Sequence, residues 1–220
     1  MSEYLAPFLE KIGHKDKLTV LDVGCGYGKN LEKLAALGVR ALGVDKNPDL
    51  VKAVRDKGFE AKTVEEFNQS KELFEVILFS HIIEHFSPHD LLTFLDAYLD
   101  RLTPNGHVII ATPLPWPDFF DDFDHVKPYP PQAIERMFCS PNSQVQYHSR
   151  HILKNIEIKV RRHRLLLSKG QRLWLEKNWP LLESLTERLF SLAYCLSFGL
   201  IGLTNGWMGL YQLQSGQNDS

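Results

Sequence analysis

The sequence predicts an α/β fold built on a doubly wound, mostly parallel sheet of seven strands. Two observations support this class. From residue 18 to about residue 112, short apolar runs alternate with helical patterns, as in successive βαβ units. Several of these runs are apolar throughout, which is typical of parallel strands covered by helices on both faces. With 220 residues, of which 44% are hydrophobic, the chain is also long enough to bury a sizeable core.

Five apolar runs are the predicted parallel strands, and helices fall between them. The clearest helix begins at Ser87-Pro88, a capping serine followed by a proline in the first turn, and ends before Pro104-Asn105-Gly106. The five strands are Leu18–Val23, Arg40–Asp45, Glu60–Thr63, Leu73–Phe79 and Gly106–Thr112. A helix over Pro131–Phe138 and two further strands, near Val145–His148 and Ile156–Arg164, are expected to complete the sheet.

Charge and cysteine content exclude several classes of protein. The 25 basic and 27 acidic residues nearly cancel, so no global field draws the chain to nucleic acid. The cysteines Cys25, Cys139 and Cys195 lack CxxC spacing, which excludes a disulfide framework and a four-thiolate zinc site. The N-terminus lacks the continuous apolar run of a secretory signal. We therefore expect a cytoplasmic protein.

A glycine-rich turn follows the first predicted strand, in Val20-Leu21-Asp22-Val23-Gly24-Cys25-Gly26-Tyr27-Gly28. Three glycines at alternate positions leave no side chain between the backbone and a ligand. Asp45 ends the next strand, where a carboxylate can accept both hydroxyl protons of a ribose. The spacing is GxGxG rather than the GxGxxG of dinucleotide sites, and it favours a ligand with a ribose but no pyrophosphate.

Residues 18–112 resemble the class I S-adenosylmethionine-dependent methyltransferases, with motifs in the family's order at Val20–Gly28, Val44-Asp45, Leu73–Phe86 and Leu102–Ile110. The resemblance implies a Rossmann-like methyltransferase fold with S-adenosylmethionine as cofactor. The glycines would line its methionine part, Asp45 would hold the ribose, and Val64 and Glu65 would flank the adenine. The full set of implied cofactor residues is Asp22, Gly24, Cys25, Gly26, Gly28, Asp45, Lys46, Val64, Glu65, Ser80 and His81.

A second motif, His81-Ile82-Ile83-Glu84-His85, matches the HxxEH signature of zinc proteases, in which both histidines lie on one face of a long helix. Here the motif directly follows a predicted buried strand, and no long helix precedes it. We therefore predict no metal site.

Residues beyond the carboxyl edge of the predicted sheet indicate the acceptor. An oxygen nucleophile of high pKa needs a base, for which His81, His85 and His125 are candidates, with Asp124 able to orient a histidine. The loop from Pro113 to Pro131 mixes aromatic and acidic side chains, which suits sugar rings, a quinone or a lipid head. Its predicted acceptor-binding residues are Trp116, Phe120, Asp124, His125 and Tyr129.

Thr112-Pro113 followed by Asp124–Tyr129 resembles a segment of methyltransferases of lipopolysaccharide and O-antigen assembly. This resemblance implies O-methylation of a glycan, a glycolipid or a related small molecule. Two alternatives stay open. One is a quinone or isoprenoid-lipid O-methyltransferase, and the other is a non-catalytic module that binds S-adenosylmethionine and tethers partners.

The C-terminal part differs from the rest. A basic segment with seven lysines and arginines between Lys159 and Lys177 precedes Leu189–Leu213, which contains no charged residue. We divide the chain into a methyltransferase domain, residues 1–167, and a helical, apolar extension, residues 168–220. Glycines in Leu189–Leu213 favour two broken helices over a membrane span, which needs about 20 apolar residues. Contact with a membrane surface and packing in a homodimer are the other interpretations.

Overall fold

The computed structural model describes residues 2–115, 119–140, 144–167 and 169–214. Seven strands form one sheet in the order β3-β2-β1-β4-β5-β7-β6. Strands β1 to β5 are parallel, and β7 runs antiparallel to both β5 and β6. The predicted seven-stranded, mostly parallel α/β sheet is therefore confirmed.

The strands are β1 (Thr19–Val23), β2 (Arg40–Asp45), β3 (Ala61–Thr63), β4 (Phe74–Ser80), β5 (Leu102–Pro113), β6 (Leu153–His163) and β7 (Leu203–Leu213). The helices are α1 (Ser2–Ile12), α2 (Lys29–Ala36), α3 (Pro48–Asp56), α4 (Val64–Asn68), α5 (Pro88–Leu99), α6 (Pro131–Ile134), α7 (Lys169–Asn178) and α8 (Pro180–Leu196). A π turn, Glu135–Cys139, continues α6.

Local sequence signals set the helix starts that face the site. The Asn47 side chain caps α3 by accepting the backbone N–H of Asp49, and Pro48 follows it. Thr63 and Glu66 form a reciprocal capping box at the start of α4. Ser87 caps α5 as the sequence predicted. These helices begin just after β2 and β3 and shortly after β4, so their first turns lie at the carboxyl edge of the sheet.

Successive residues of the central strands bury their side chains on opposite faces of the sheet. Leu21 packs in the cluster that includes α4, α5 and α6, whereas Val20 packs with α1 and α2. Helices α2 and α3 cover Cys25 and Ala61 in a third cluster. Helices on both faces are what a doubly wound sheet requires, and they leave the carboxyl edge of the strands accessible.

The last two strands differ from the prediction. The run Val145–His148 is irregular, and the strand near Ile156–Arg164 is observed as β6, Leu153–His163. The run Leu189–Leu213 was predicted as helix, but its residues 203–213 form strand β7, which lies between β5 and β6. Trp207 and Tyr211 of this strand are completely buried. A run without charges suits a strand covered on both sides as well as a buried helix, and only its partners β5 and β6 distinguish the two.

The predicted helical extension over residues 168–220 is therefore corrected. Residues 203–213 complete the sheet, and α7 and α8 form a helical insertion between β6 and β7. In the part of the chain that the structure describes, no helix is both long enough and apolar enough to cross a bilayer.

Candidate active site

The glycine-rich turn connects β1 to α2 at the carboxyl edge of the sheet. Gly24, Gly26 and Gly28 have φ values of 71°, 53° and 80°, in the left-handed region that favours glycine. The N–H groups of Gly24 and Cys25 donate to the Val44 carbonyl, at 2.7 and 3.1 Å, and fix the turn against β2. A Cβ atom on Gly24 would lie 2.5 Å from Cδ1 of Ile82. The turn therefore keeps its backbone close to the cleft in front of β1 and β4.

Asp45 joins this turn to the start of α3. Its Oδ2 accepts the Gly26 N–H at 2.9 Å, and its Oδ1 accepts the Asn47 N–H at 2.9 Å. Each carboxylate oxygen can accept a second hydrogen bond. The side chain is 9% exposed at the end of β2, so its orientation is fixed before any ligand arrives. This geometry fits a pair of ribose hydroxyl donors.

Asp22 lies behind the turn and is completely buried. Its Oδ1 accepts Nδ2 of Asn30 at 3.1 Å, whereas Oδ2 has no hydrogen-bond partner among the described residues. The pKa of Asp22 is raised to about 7, mainly because the group is buried. The charge of Asp45 raises the pKa further, and the hydrogen bond from Asn30 partly opposes both effects. A buried carboxyl group with an open oxygen favours a cationic partner, and S-adenosylmethionine carries an ammonium and a sulfonium group. The residues present thus fit this cofactor.

A cleft of about 460 Å³ opens beside the turn. Its lining includes Gly26, Lys33, Ser80, His81 and Arg161. Arg161 belongs to the basic C-terminal segment, and no pattern in the sequence predicts its place here, because β6 is distant in sequence from the glycine turn. The Arg161 guanidinium donates to Oδ1 of Asn205 through Nε, at 2.7 Å, and so is held in β6 beside β7. It adds a positive charge that suits the carboxylate of an amino-acid moiety.

The remaining predicted cofactor residues occupy different positions around this edge. Val64 and Glu65 begin α4, next to the Asp45–Thr63 pair of β2 and β3; Val64 is half-buried and Glu65 is exposed. Lys46 is exposed at the end of β2. Cys25 is buried, and burial raises the pKa of its thiol to about 12, so it stays protonated near neutral pH.

Glu84 forms the second half of the site. It is completely buried between the ends of β4 and β5, where Oε2 accepts the Thr112 hydroxyl at 2.9 Å. Oε1 lies 3.2 Å from Nδ1 of His81, and His81 has a φ of 57°. The Glu84 carbonyl accepts the N–H groups of Val126 and Lys127. One residue therefore connects the end of β4, β5 and the loop 113–131, which is predicted to bind the acceptor and is here called the acceptor loop.

His85 and His125 lie side by side, with ring centroids 5.0 Å apart. His85 Nδ1 is 3.0 Å from the Asp124 carbonyl, and His125 Nδ1 is 2.6 Å from the Phe119 carbonyl. Since a carbonyl only accepts, both Nδ1 atoms donate, and in the neutral ring the lone pair is on Nε2. Nε2 of His125 lies 3.6 Å from Oδ2 of Asp122. The pair presents two basic nitrogens, and the carboxylate of Asp122 lies beside one of them, Nε2 of His125.

The zinc-protease arrangement does not occur at His81–His85. Residues Ile83–His85 form a single 3₁₀ turn, and His81 and His85 engage different partners. A different set, Glu84, His85 and His125, offers ligand atoms that all lie within 4.8 Å of one another, a separation that a metal ion could bridge. The expectation of no metal site stays a prediction.

The structure describes four of the five residues predicted to bind the acceptor. Phe120 is 69% exposed, His125 belongs to the histidine pair, and the Asp124 carbonyl contacts His85. Trp116 lies outside the described residues. Tyr129 is 3% exposed; its hydroxyl donates to the Phe86 carbonyl at 2.9 Å, and its carbonyl accepts Nε1 of Trp207. In the structure Tyr129 therefore anchors the loop to the core.

Tyr129→Phe tests this anchoring role. Burial raises the pKa of Tyr129 to about 12, so the hydroxyl remains a donor, and its loss leaves the Phe86 carbonyl without this partner. We expect a loss of about 1 kcal/mol in the free energy of unfolding, measured by urea denaturation. Unchanged stability combined with a raised KM for the acceptor would instead return Tyr129 to the acceptor site.

The family of the chain follows from comparison with known proteins. Residues 1–154 match the model of a family described as a methyltransferase domain. The chain belongs to this methyltransferase family. Its domain is therefore an S-adenosylmethionine-dependent methyltransferase domain, and S-adenosylmethionine, the cofactor that the resemblance implied, is that of the family.

Curated relatives cover only part of this methyltransferase. A ubiquinone biosynthesis O-methyltransferase of Brucella anthropi is 30% identical over 105 residues, 44% of this chain and 42% of that protein. The protein of the same description from Bradyrhizobium diazoefficiens is 34% identical over 103 residues, 43% of this chain and 40% of that protein. The chain thus aligns with about two fifths of the length of these relatives.

Solved methyltransferases share the fold along nearly the whole chain. An S-adenosylmethionine-dependent methyltransferase from Archaeoglobus fulgidus has a TM-score of 0.58 at 18% identity, covering 96% of this chain and 94% of that one. An N-methyltransferase from Bradyrhizobium japonicum, solved with S-adenosyl-L-homocysteine, has a TM-score of 0.58 at 14% identity, covering 97% and 86%. At these identities the likeness concerns the fold.

Proposed function

We propose that this methyltransferase transfers the methyl group to a hydroxyl oxygen of a lipid-linked acceptor. The observation that carries this proposal is the His85–His125 pair, with Nδ1 of each ring bonded to a carbonyl, at the same sheet edge as the glycine turn and Asp45. A hydroxyl acceptor needs a base, and a nitrogen acceptor does not need one of this kind.

The chain's own residues divide the work. When bound, S-adenosylmethionine supplies an electrophilic methyl group on a sulfonium. The glycine turn, Asp22 and Asp45 would hold it, and the exposed acceptor loop would cover the reacting atoms and exclude water. His125 would take the acceptor's proton on Nε2, and the carboxylate of Asp122, 3.6 Å away, would stabilise the imidazolium that results. His81, held by Glu84, would position the cofactor side of the cleft.

Two acceptor classes fit this chemistry. The relatives described as ubiquinone biosynthesis O-methyltransferases favour a phenolic hydroxyl on an isoprenoid lipid. The loop's exposed Phe120 and Phe123, beside Asp121 and Asp124, and its resemblance to a segment from O-antigen assembly favour a glycan or glycolipid. We place the isoprenoid phenol first because that similarity extends over more than 100 residues.

The test is transfer of a labelled methyl group from S-adenosylmethionine to two purified acceptors, an isoprenoid hydroquinone and a lipid-linked glycan. Label in the hydroquinone supports the proposal, and label only in the glycan moves the acceptor to the second class. Tight cofactor binding without transfer to either acceptor would favour the non-catalytic tethering module. The cytoplasmic location, the homodimer and the absence of a nucleic-acid partner stay predictions.

His125→Gln is expected to lower kcat by about a hundredfold or more while the Kd of S-adenosylmethionine stays constant, because only the proton acceptor is lost. Stopped-time methyl transfer measures kcat, and calorimetry measures the Kd.

His151→Gln is the matched control. His151 also pairs with a carboxylate, Oδ1 of Asp100 at 3.0 Å, but it lies near the start of β6, at the opposite edge of the sheet. Its kcat should match that of the unmodified chain. An equal loss of kcat in the two variants would contradict the role of His125 as base.

A further inference from the structure

The outward face of α8 is apolar. Leu181, Leu185, Leu189, Leu192 and Leu196 follow one another at intervals of three or four residues, so they form one stripe along the helix. All five are exposed, Leu181 by 81%, and none of the residues of α8 is buried. Over 17 residues the stripe is about 25 Å long. A helix of this composition normally turns its leucines toward the core.

Two ion pairs hold α8 in this inverted orientation. Glu183 Oε1 lies 3.3 Å from Nε of Arg172 in α7, and Glu187 Oε2 lies 3.0 Å from Nη2 of Arg164, just after β6. Both glutamates are largely shielded, with side-chain exposures of 18% and 17%. Since the acidic side of α8 faces these arginines, rotating the leucines inward would break both pairs. The apolar stripe is therefore a fixed outer surface.

The turn after α8 extends the stripe. Phe198 is 96% exposed with a φ of 52°, and Leu200 is 73% exposed. Nη1 of Arg162 donates to the carbonyls of Gly199 and Leu200, and Tyr194 Oη donates to the Arg162 carbonyl at 3.1 Å. These bonds connect the turn to β6. The Phe198 side chain is therefore fully exposed at the end of the stripe, and the backbone of its turn is held to β6 by hydrogen bonds.

The surroundings of the stripe are positively charged. Leaving out Arg161, which lines the cleft beside the glycine turn, residues 162–200 carry six lysines and arginines and three glutamates, a net charge of +3, in a chain whose formal net charge is −2. Two of the three glutamates are the ones paired inside the insertion. Arg188, on α8 itself, is exposed beside the leucines. The combination of an apolar stripe and basic flanks complements an anionic lipid surface.

The insertion also lies at the edge of the sheet that carries the active site. It begins after His163 and ends before Leu203, which pair with each other at the ends of β6 and β7. Gly206 of β7 pairs with Pro113, the last residue of β5, from which the acceptor loop departs. Both the insertion and the loop therefore leave the sheet at the same edge.

We propose that the apolar stripe of α8, together with the turn 198–201, lies in the interfacial region of a bilayer that contains anionic phospholipids. The leucines and Phe198 enter the acyl boundary, and the basic flanks contact the headgroups. A second copy of the chain fits less well, because an isologous contact through the stripe would bring two segments of net charge +3 together. Docking in this way places the acceptor loop near the membrane. The proposed membrane contact does not depend on whether methyl transfer to a lipid is found.

The test is co-sedimentation of the full chain with vesicles of phosphatidylcholine alone or with added phosphatidylglycerol. We expect binding to the anionic vesicles that weakens at high salt. Leu185→Ser with Leu189→Ser, and separately Phe198→Ser, should each lower the partition coefficient by about tenfold or more. Because these side chains are exposed, the fold and the Kd of S-adenosylmethionine should not change, as checked by calorimetry.

Leu73→Ser is the control, because Leu73 is 51% exposed just before β4, at the opposite edge of the sheet. It should leave vesicle binding unchanged. Equal vesicle binding by the double serine variant and the unmodified chain, or no vesicle binding by the unmodified chain, would overturn the proposal. A dimer in analytical ultracentrifugation that becomes a monomer in the double variant would show that a second copy covers the stripe instead.

Discussion

Asp45→Asn is expected to raise the Kd of S-adenosylmethionine by about a hundredfold. The carboxylate accepts two backbone N–H groups, from Gly26 and Asn47, and offers a further lone pair on each oxygen. An amide has one accepting oxygen, so one N–H of the site and one ribose hydroxyl lose their acceptor. Hydrogen bonds to a charged group contribute roughly 1.5–3 kcal/mol each. Isothermal titration calorimetry measures the change.

Asp56→Asn makes the same chemical change outside the site. Asp56 is 63% exposed at the end of α3, where its Oδ2 pairs with Lys52 at 2.8 Å. We expect no change in the Kd of this control. An Asp45→Asn chain with unchanged Kd and an intact fold would mean that the ribose lies elsewhere, and the placement of the cofactor along β2 would be wrong.

Asp22→Asn is expected to change stability and cofactor affinity in opposite directions. Burial first, and the charge of Asp45 in addition, raise the pKa of Asp22 from 3.8 to about 7 in the folded chain. Between these two pH values the folded state binds more protons than the unfolded state. The free energy of unfolding therefore falls as pH rises from about 4 to about 7, by up to roughly 4 kcal/mol.

The asparagine variant should lack this slope. At pH 8, without cofactor, we expect it to be more stable than the unmodified chain by a few kcal/mol, since it no longer buries an unpaired carboxylate. Its affinity for S-adenosylmethionine should fall because the cofactor's positive groups lose a counter-charge. Urea denaturation at pH 4, 6 and 8 and calorimetry at pH 8 measure the two effects.

Calorimetry also gives an independent check of the titration. A cationic ligand favours the ionised carboxyl group, so binding to the unmodified chain below pH 7 should release a proton, detectable in buffers of different ionisation enthalpy. Asp56→Asn again serves as the control, with the slope retained. A slope that persists in the Asp22→Asn chain would assign the titration to another group.

Local sequence was sufficient to predict that the glycine turn and Asp45 lie together at the carboxyl edge of the sheet. The turn Gly24–Gly28 follows a strand directly, and Asp45 ends the next strand, so parallel pairing alone brings them together. Both features are short in sequence and strongly constrained by backbone geometry. The capping serine at Ser87 is equally local, and it is observed.

The acceptor half depends on contacts between distant segments. The Glu84 carboxylate accepts a hydrogen bond from the Thr112 hydroxyl, and its backbone carbonyl accepts the N–H groups of Val126 and Lys127. No periodicity in the sequence predicts these contacts. Tyr129 was expected at the acceptor because aromatic residues in a loop often bind ligands, but the buried Trp207 and the Phe86 carbonyl hold it in the core. Arg161 reaches the cleft only because β6 and β7 close the sheet.

The sequence by itself determined the α/β class and the parallel strands β1 to β5, and its resemblance to the class I methyltransferases implied the cofactor. The strands and helices follow from patterns within a few tens of residues, such as runs of apolar residues, glycines and caps. Only the tertiary structure decided that residues 203–213 form the strand between β5 and β6, and that α8 turns its leucines outward. An uncharged run is compatible with a helix or a buried strand, and the pattern of an amphipathic helix does not show which side faces the protein. Pairing with β5 makes residues 203–213 a strand, and ion pairs to Arg164 and Arg172 orient α8. Both are contacts between separate elements of the fold, which local patterns do not contain.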